Sequence, residues 1–336
     1  MATEADGKRT RSGTMSETSA WEHAGVHYGV RYWRASEEVC ASGPSDPVDA
    51  SLRETYGVVH GAADGVSVRC APIVLLHGFA QSAAAWDEVA RDLAHDRTVY
   101  ALDLIGHGSS DRPANPQTYA LEAQAQAVLA FLHSVAADEG ARPVVIGYSM
   151  GGRVALMAAT LDPDAFAANA SALILEGAGL GPATSDEREQ AAARDAANAG
   201  RLRTEGVSAF MDAWERLPLF ATQCDLPAIT RERQRAARLN NDAEALARTF
   251  EHAGQHAMPS REQTCAALVA LSAQGFPVLY LAGGRDEKYR ALASRLAADA
   301  LCETRTLDSA GHNTHLEAPT AFVRKVNAFL SASDAC

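Results

Sequence analysis

The chain has 336 residues, 47% of them hydrophobic, enough for one large core with an insertion or for two domains. Its formal charge of −12 argues against nucleic acid and anionic membrane surfaces as main partners, while a local group of arginines remains free to hold a small anion. The six cysteines (Cys40, Cys70, Cys224, Cys265, Cys302, Cys336) stand singly, without zinc-site spacing, so neither metal nor cofactor is called for and reduced thiols in a cytoplasmic protein are expected.

Residues 1–20 lack the apolar segment of a secretory signal, and their Thr, Ser, Glu and Gly content predicts a disordered tail. No later apolar run approaches the ~20 residues that cross a bilayer, so membrane insertion is not expected. Nothing in the pattern bears on oligomeric state. "VHYGVRYWR" (26–34) alternates as a strand does, and "ASGPSDPVDASLRETYG" after it reads as a loop insertion. From residue 72 the runs "IVLLHG", "TVYALD", "PVVIGYS", "ALILEGA", "FPVLYLAG" and the stretch around "LCETRTLD" have strand length, and helix-like segments separate most of them. That alternation predicts an α/β fold with a mostly parallel sheet covered on both faces. Between about 182 and 273 strand signals stop and five helical segments follow: "SDEREQAAARDAANAGRLR", "GVSAFMDAWERL", "AITRERQRAARLNND", "AEALARTFEHAG" and "REQTCAALVALSA". They predict a helical cap over the sheet's C-terminal edge, leaving 21–181 and 274–336 as the core.

Gly147-Tyr148-Ser149-Met150-Gly151 is a GxSxG sequence between a buried strand and an amphipathic helix. The small residues permit a turn so sharp that Ser149 is strained and its hydroxyl stands above the sheet at a helix N-terminus, where amides stabilise developing negative charge. A hydroxyl needs a partner imidazole to become a base or nucleophile. Asp286 in "YLAGGRDEKY" and His312 in "LDSAGHNTHLEAP" each follow a strand, and the chain order Ser, Asp, His is that of the α/β-hydrolase architecture. The rivals are His315 for the base and Asp299 or Asp308 for the acid, none as well placed after a strand and a glycine turn. His107 is expected to shape a loop. His77 is expected to organise the turn that presents the backbone N–H of Phe79, which with that of Met150 would form an oxyanion hole.

The segments "LLHGFAQSAAAWDEVA", "LDLIGHGSS", "GYSMGGRVALMAA", "LEGAGLG", "WERLPLFA", "RLNND", "YLAGGRDEKYRALASRLA" and "AGHNTHLEAP" together resemble the 2-succinyl-6-hydroxy-2,4-cyclohexadiene-1-carboxylate synthases of the α/β-hydrolase superfamily, from about residue 72 to 330. "HGF", "GHG" and the elbow are widespread in that superfamily. Arg153 after "GYSMGG", "WERLPLFA", "RLNN" and "GGRDEKYRAL" are narrower.

The resemblance implies a lyase of menaquinone biosynthesis that removes a ring proton from an enolpyruvyl cyclohexene and expels pyruvate. Ser149, deprotonated toward His312, would act as the base; Asp286 would fix the imidazole tautomer; the oxyanion hole would hold an enolate. The substrate is a small polyanion, so Arg153 on the elbow helix and Arg238 from the cap are expected to bind carboxylates, the alternative being surface arginines. Trp214 is expected to line the pocket, the alternative being plain core packing. Tyr148, its hydroxyl expected to be exposed, either contacts substrate or shields the base. The family's first cap helix carries an arginine one turn before the residue matching Asp195, but here that position is Ala191; Arg188 is the candidate replacement, since Arg194 is turned away. Two other readings stay open at this level: a hydrolase of esters, thioesters or carbon–carbon bonds, and a non-catalytic binding protein on the same fold.

Overall fold

A computed structural model describes residues 16–35 and 70–333. They form one eight-stranded sheet, in the order β1-β2-β4-β3-β5-β6-β7-β8. The strands are β1 (Glu17–His23), β2 (Val26–Trp33), β3 (Ile73–Leu76), β4 (Val99–Leu102), β5 (Val144–Tyr148), β6 (Ala172–Glu176), β7 (Val278–Gly283) and β8 (Glu303–Leu307). β2 runs antiparallel to both its neighbours, and every pair from β4 through β8 is parallel. All six runs identified from residue 72 onward are strands. Their register carries alternate residues to opposite faces. Val74, Leu76, Val145, Leu173 and Leu175 join one core, and Ile73, Leu75, Val144, Ile146, Ala172 and Ile174 the other.

The helices divide accordingly. Helices α2 (Leu121–Glu139), α3 (Met150–Leu161), α4 (Pro163–Asn169) and α9 (Glu287–Ala298) cover the first face, while α1 (Asp87–Leu93) and, after the single turn α10 (Thr314–Glu317), α11 (Pro319–Ala332) cover the second. With Phe322, Val326 and Leu330 all fully buried in α11, truncating Leu330 to Ala would cost about 2–5 kcal/mol.

The cap consists of α5 (Ser185–Trp214), a 3₁₀ stretch at Pro218–Asp225, α6 (Ala228–Leu239) and α7 (Ala243–Ala253). Thr184 caps α5, its side chain accepting from the Glu187 N–H. Gly206 interrupts this helix with φ 78° and ψ 171°, where the sequence separates two helical segments. The cap has a core of its own, in which Phe210, Met211, Leu202 and Leu246 are buried.

Two boundaries differ from expectation. Residues 17–20 lie in β1, so they do not belong to a disordered tail: Trp21 packs against Tyr28 and Phe131 at 5.4 and 5.1 Å, and Ala24 and Gly25, both at positive φ, close the hairpin to β2. The fifth helical segment, α8 (Arg261–Ala273), packs on α3 and α4 and buries Leu268 and Leu271 in the sheet-side core, so the cap ends before it. Residues 1–15 and the expected loop insertion at 41–57 lie outside the described residues. Among the described residues no helix is long and apolar enough to cross a membrane.

Candidate active site

The carboxyl ends of β3, β5, β6, β7 and β8 meet on one edge of the sheet, beneath the cap, and each delivers a part of the site. At the end of β5 the chain turns within one residue into α3. Ser149 has φ 49° and ψ −101°, in the region that side chains avoid, and its N–H donates to the Glu176 carbonyl at 2.8 Å. The turn requires flanking glycines, because a Cβ on Gly151 would run into the Leu76 carbonyl and one on Gly147 would lie 2.6 Å from Gly152 Cα.

Ser149 Oγ stands 3.1 Å from His312 Nε2, and His312 Nδ1–H donates to Asp286 Oδ2 at 2.8 Å. Asp286 also caps α9, its Oδ1 accepting from the Tyr289 N–H at 3.2 Å. The carboxylate is thereby held at two points and fixes the imidazole with Nε2 toward the serine. The ring of His312 is walled by Tyr289, Tyr148 and Phe220, with centroids at 4.8, 5.3 and 6.0 Å.

The neighbouring turn is set by His77. Its Nε2 accepts from the Leu104 N–H (2.9 Å), so Nδ1 carries the proton and donates to the Gly78 carbonyl (2.8 Å). Burial lowers the His77 pKa, which keeps the ring neutral in this role. Among the described residues neither the Phe79 nor the Met150 N–H has a protein acceptor, so both remain available to an anionic oxygen. His107, fully buried, meets the Ile105 carbonyl through Nδ1 at 3.0 Å; burial first, and His77 second, hold its pKa down to about 3. It shapes the loop and stays uncharged near neutral pH.

Of the expected binding groups, Arg153 is partly buried on α3, donating to the Ala253 carbonyl at the end of α7 (2.8 Å). Burial lowers its pKa, and the nearby Asp195 opposes that. Arg238, at the end of α6, is 5% exposed, lies 5.5 Å over the Phe220 ring, and leaves its Nε without a partner. Since Phe220 also contacts His312, Arg238 and the imidazole flank one aromatic ring. Trp214 is tilted against Phe79 at 5.2 Å, stacks on Phe210, and packs among Phe220 and Phe250.

The surroundings of Tyr148 and Arg188 differ from those expected. Tyr148 is 3% exposed, because the residue before the elbow points into the second core, where its ring packs between His312 and His315. Burial, then Glu176, push its hydroxyl pKa well above the ordinary value, so it stays neutral. Arg188, the expected replacement for the arginine absent at Ala191, is held on main chain. Its Nη1 is committed to the carbonyls of His256 and Met258, and the group that meets Asp195 is His256, Nδ1 to Oδ2 2.9 Å. Arg194 points outward, to Gln255.

Sequence reasoning missed Glu176. Wholly buried at the end of β6, it accepts through Oε1 from Thr314 Oγ1 (2.7 Å) and the His315 N–H (3.0 Å), and through Oε2 from His315 Nδ1 (2.7 Å). His315 is therefore an anchor of the His312 loop, not a second base, and Trp86 stacks on it at 3.9 Å. Glu317 holds the same loop from the other side through the Gly311 and Asn313 N–H groups. A lone carboxylate closing the apolar run "ALILE" was the available signal.

A serine on a strained elbow, an oriented imidazole and two unfilled N–H donors are the parts of acyl-transfer and enolate chemistry alike. Residues 73–325 match the alpha/beta hydrolase family. The chain is 32% identical over 251 residues to a 2-succinyl-6-hydroxy-2,4-cyclohexadiene-1-carboxylate synthase of Escherichia coli O1:K1 / APEC, covering 75% of this chain and 90% of that one. It is 30% identical to the protein of the same name from Shigella flexneri serotype 5b, over 79% and 96% of the two chains. Among solved structures, MenH from S. aureus superposes with a TM-score of 0.70 at 27% identity, covering 79% of this chain and 94% of that one. A thermophilic esterase from Thermogutta terrifontis shares the fold, with a TM-score of 0.66 at 19% identity over 95% and 99% of the two chains. On this family match and these identities, the chain belongs to the alpha/beta hydrolase family and, within it, to the 2-succinyl-6-hydroxy-2,4-cyclohexadiene-1-carboxylate synthases.

Proposed function

We propose that the protein eliminates pyruvate from 2-succinyl-5-enolpyruvyl-6-hydroxy-3-cyclohexene-1-carboxylate, giving 2-succinyl-6-hydroxy-2,4-cyclohexadiene-1-carboxylate for menaquinone biosynthesis, with Ser149 as the base. The hydroxyl proton passes to His312 Nε2 as Ser149 Oγ takes the ring proton activated by the succinyl ketone. The electron pair moves through the enolate, whose oxygen is held by the Phe79 and Met150 N–H groups, into the new ring double bond as the bond between the ring carbon and the ether oxygen breaks; the departing enolate is protonated to pyruvate, and the proton held on His312 balances the step. Asp286 stabilises the imidazolium during the transfer. Arg153 and Arg238 take substrate carboxylates, and Trp214 with Phe220 covers the ring. Arg188 acts at a distance by holding the main chain at His256 and Met258.

What supports the lyase reading over ester hydrolysis is the pair of desolvated guanidiniums, Arg153 part-buried one turn after Ser149 on α3 and Arg238 buried on α6 over the Phe220 ring that also contacts His312. A neutral ester has no use for two desolvated cations, whereas a tricarboxylate requires them. A cytoplasmic setting fits the thiols of Cys224, Cys265 and Cys302, which are free.

The test is product analysis with the enolpyruvyl substrate and with p-nitrophenyl acetate. Pyruvate and the cyclohexadiene should appear in equal amounts without an acyl-enzyme burst. Fast ester hydrolysis with no pyruvate would overturn the reading in favour of a hydrolase.

A further inference from the structure

The cap carries a ladder of alternating charges between its first two helices. Asp212 and Glu215 come from the end of α5, and Arg235 and Arg238 from successive turns of α6. Asp212 Oδ1 accepts from Arg235 at 2.6 Å, Glu215 Oε2 from Arg235 at 2.8 Å, and Glu215 Oε1 from Arg238 at 3.0 Å. The two arginines are unlike. Arg235 is 35% exposed and has two carboxylates, whereas Arg238 is 5% exposed and has one, shared. The rest of the Arg238 guanidinium is poorly satisfied: Nη2 reaches Gln223 Oε1 only at 3.4 Å, and Nε, buried, has no acceptor.

A buried cation left with spare donors beside the triad is poised for a second anion. Yet Glu215, while it stays on Arg238, cancels the charge that an incoming carboxylate needs, and like charges brought together on one guanidinium repel. The remedy is built into the ladder, because Glu215 already holds Arg235 through its other oxygen.

We propose that Glu215 is the resting counter-ion of Arg238, displaced onto Arg235 when a substrate carboxylate binds, and that this exchange sets the enzyme's affinity for polyanionic acids. The inference rests on the assignment of Arg238 to a substrate carboxylate. Without substrate, Glu215 spares the fold an uncompensated buried charge. With substrate, Arg235 receives Glu215, so the charge is moved and not stranded. Glu215 touches no reacting atom; it acts through Arg238, on binding alone.

The experiment is steady-state pyruvate release from 2-succinyl-5-enolpyruvyl-6-hydroxy-3-cyclohexene-1-carboxylate by wild type, Glu215→Gln, Arg235→Gln and Arg238→Gln, each at several salt concentrations and with its thermal midpoint recorded. Glu215→Gln should lower KM about three- to tenfold with kcat little changed, and steepen the salt dependence, since the pocket loses a competing anion. Arg235→Gln should raise KM by a similar factor, because Glu215 then has nowhere to go. Combined with Glu215→Gln, the Arg235 substitution should add nothing. If Glu215→Gln raises KM or leaves it and the salt slope unchanged, while Arg238→Gln still weakens substrate, Glu215 is no competitor and the inference falls alone. If Arg238→Gln itself leaves kcat/KM intact, the carboxylate assignment falls and takes the inference with it.

Discussion

Replacing Asp286 with Asn tests the triad at its most constrained point. Asp286 Oδ1 is the acceptor for the Tyr289 N–H at the start of α9, so an asparagine keeps that bond only by leaving its oxygen there. Its NH₂ then faces His312 Nδ1, where the carboxylate oxygen now accepts at 2.8 Å. Two donors cannot share that bond. The imidazole must move its proton to Nε2, which turns a hydrogen toward Ser149 Oγ at the atom that should receive one. The base is lost although every heavy atom can stay in place. A wrong-tautomer triad loses about 10⁴-fold in kcat, equivalent to about 5 kcal/mol of barrier. Fold stability should fall by only about 1 kcal/mol, because an amide–imidazole hydrogen bond replaces a carboxylate–imidazole one. Pyruvate release followed by coupled NADH oxidation reads the first quantity, and urea unfolding the second. A kcat within tenfold of wild type would refute the tautomer argument, as would a large loss of kcat accompanied by an equal collapse of stability.

Glu176→Gln removes the negative end of a buried pair and sets an NH₂ against His315 Nδ1; urea unfolding should show a loss of about 3 kcal/mol, with kcat reduced and KM nearly constant. An unchanged kcat would mean that the His312 loop does not depend on this anchor. His107 gives a pH signature. The unfolded chain takes up its proton below the ordinary value of 6.5 and the folded chain only near about 3, so its contribution is complete above pH 6.5 and declines as the pH falls between those limits, by about 1.4 kcal/mol per pH unit at most. His107→Gln should flatten the fall of unfolding free energy between pH 6 and 4; a slope equal to that of wild type would count against a buried neutral ring.

Strands β3 to β7 were legible because a strand covered on both faces reads as a short, nearly continuous apolar run bounded by turn residues; β8, "ETRTL", is polar and part-exposed, and its place after a helix in the alternation announced it. β1 was not legible. Its segment "ETSAWEH" is mostly exposed and lies at the sheet's edge, so it carries no alternation, and only Trp21 commits it to the core. The periodicity of α8 announces a helix but not its partner, and Leu268 and Leu271 face the sheet-side core as readily as they could have faced a cap. In the site, Ser149, Asp286 and His312 were readable because each follows a strand at the same edge. Glu176, Tyr148 and Arg188 were not, for a common reason: what each does depends on residues far along the chain, the 314–315 pair, the two histidine rings and the carbonyls at 256 and 258.

Glu176 touches both partners of the proton transfer: its main-chain oxygen receives the Ser149 N–H, and its side chain grips the turn that bears His312. The interval between the serine and the imidazole is thus gauged chiefly from strand ends in the sheet, Glu176 and Asp286, and the cap adds the Phe220 ring against His312. Apart from the stretch that carries Phe220, residues 185–253 can be recut, lengthened or tilted without touching the groups that set that interval, so the architecture separates the engine from the tooling. A change of reaction on this frame calls for new cap side chains against the same three groups, and transplanting a foreign cap onto this sheet should leave Ser149 as readily phosphonylated as before, even where the native substrate no longer fits.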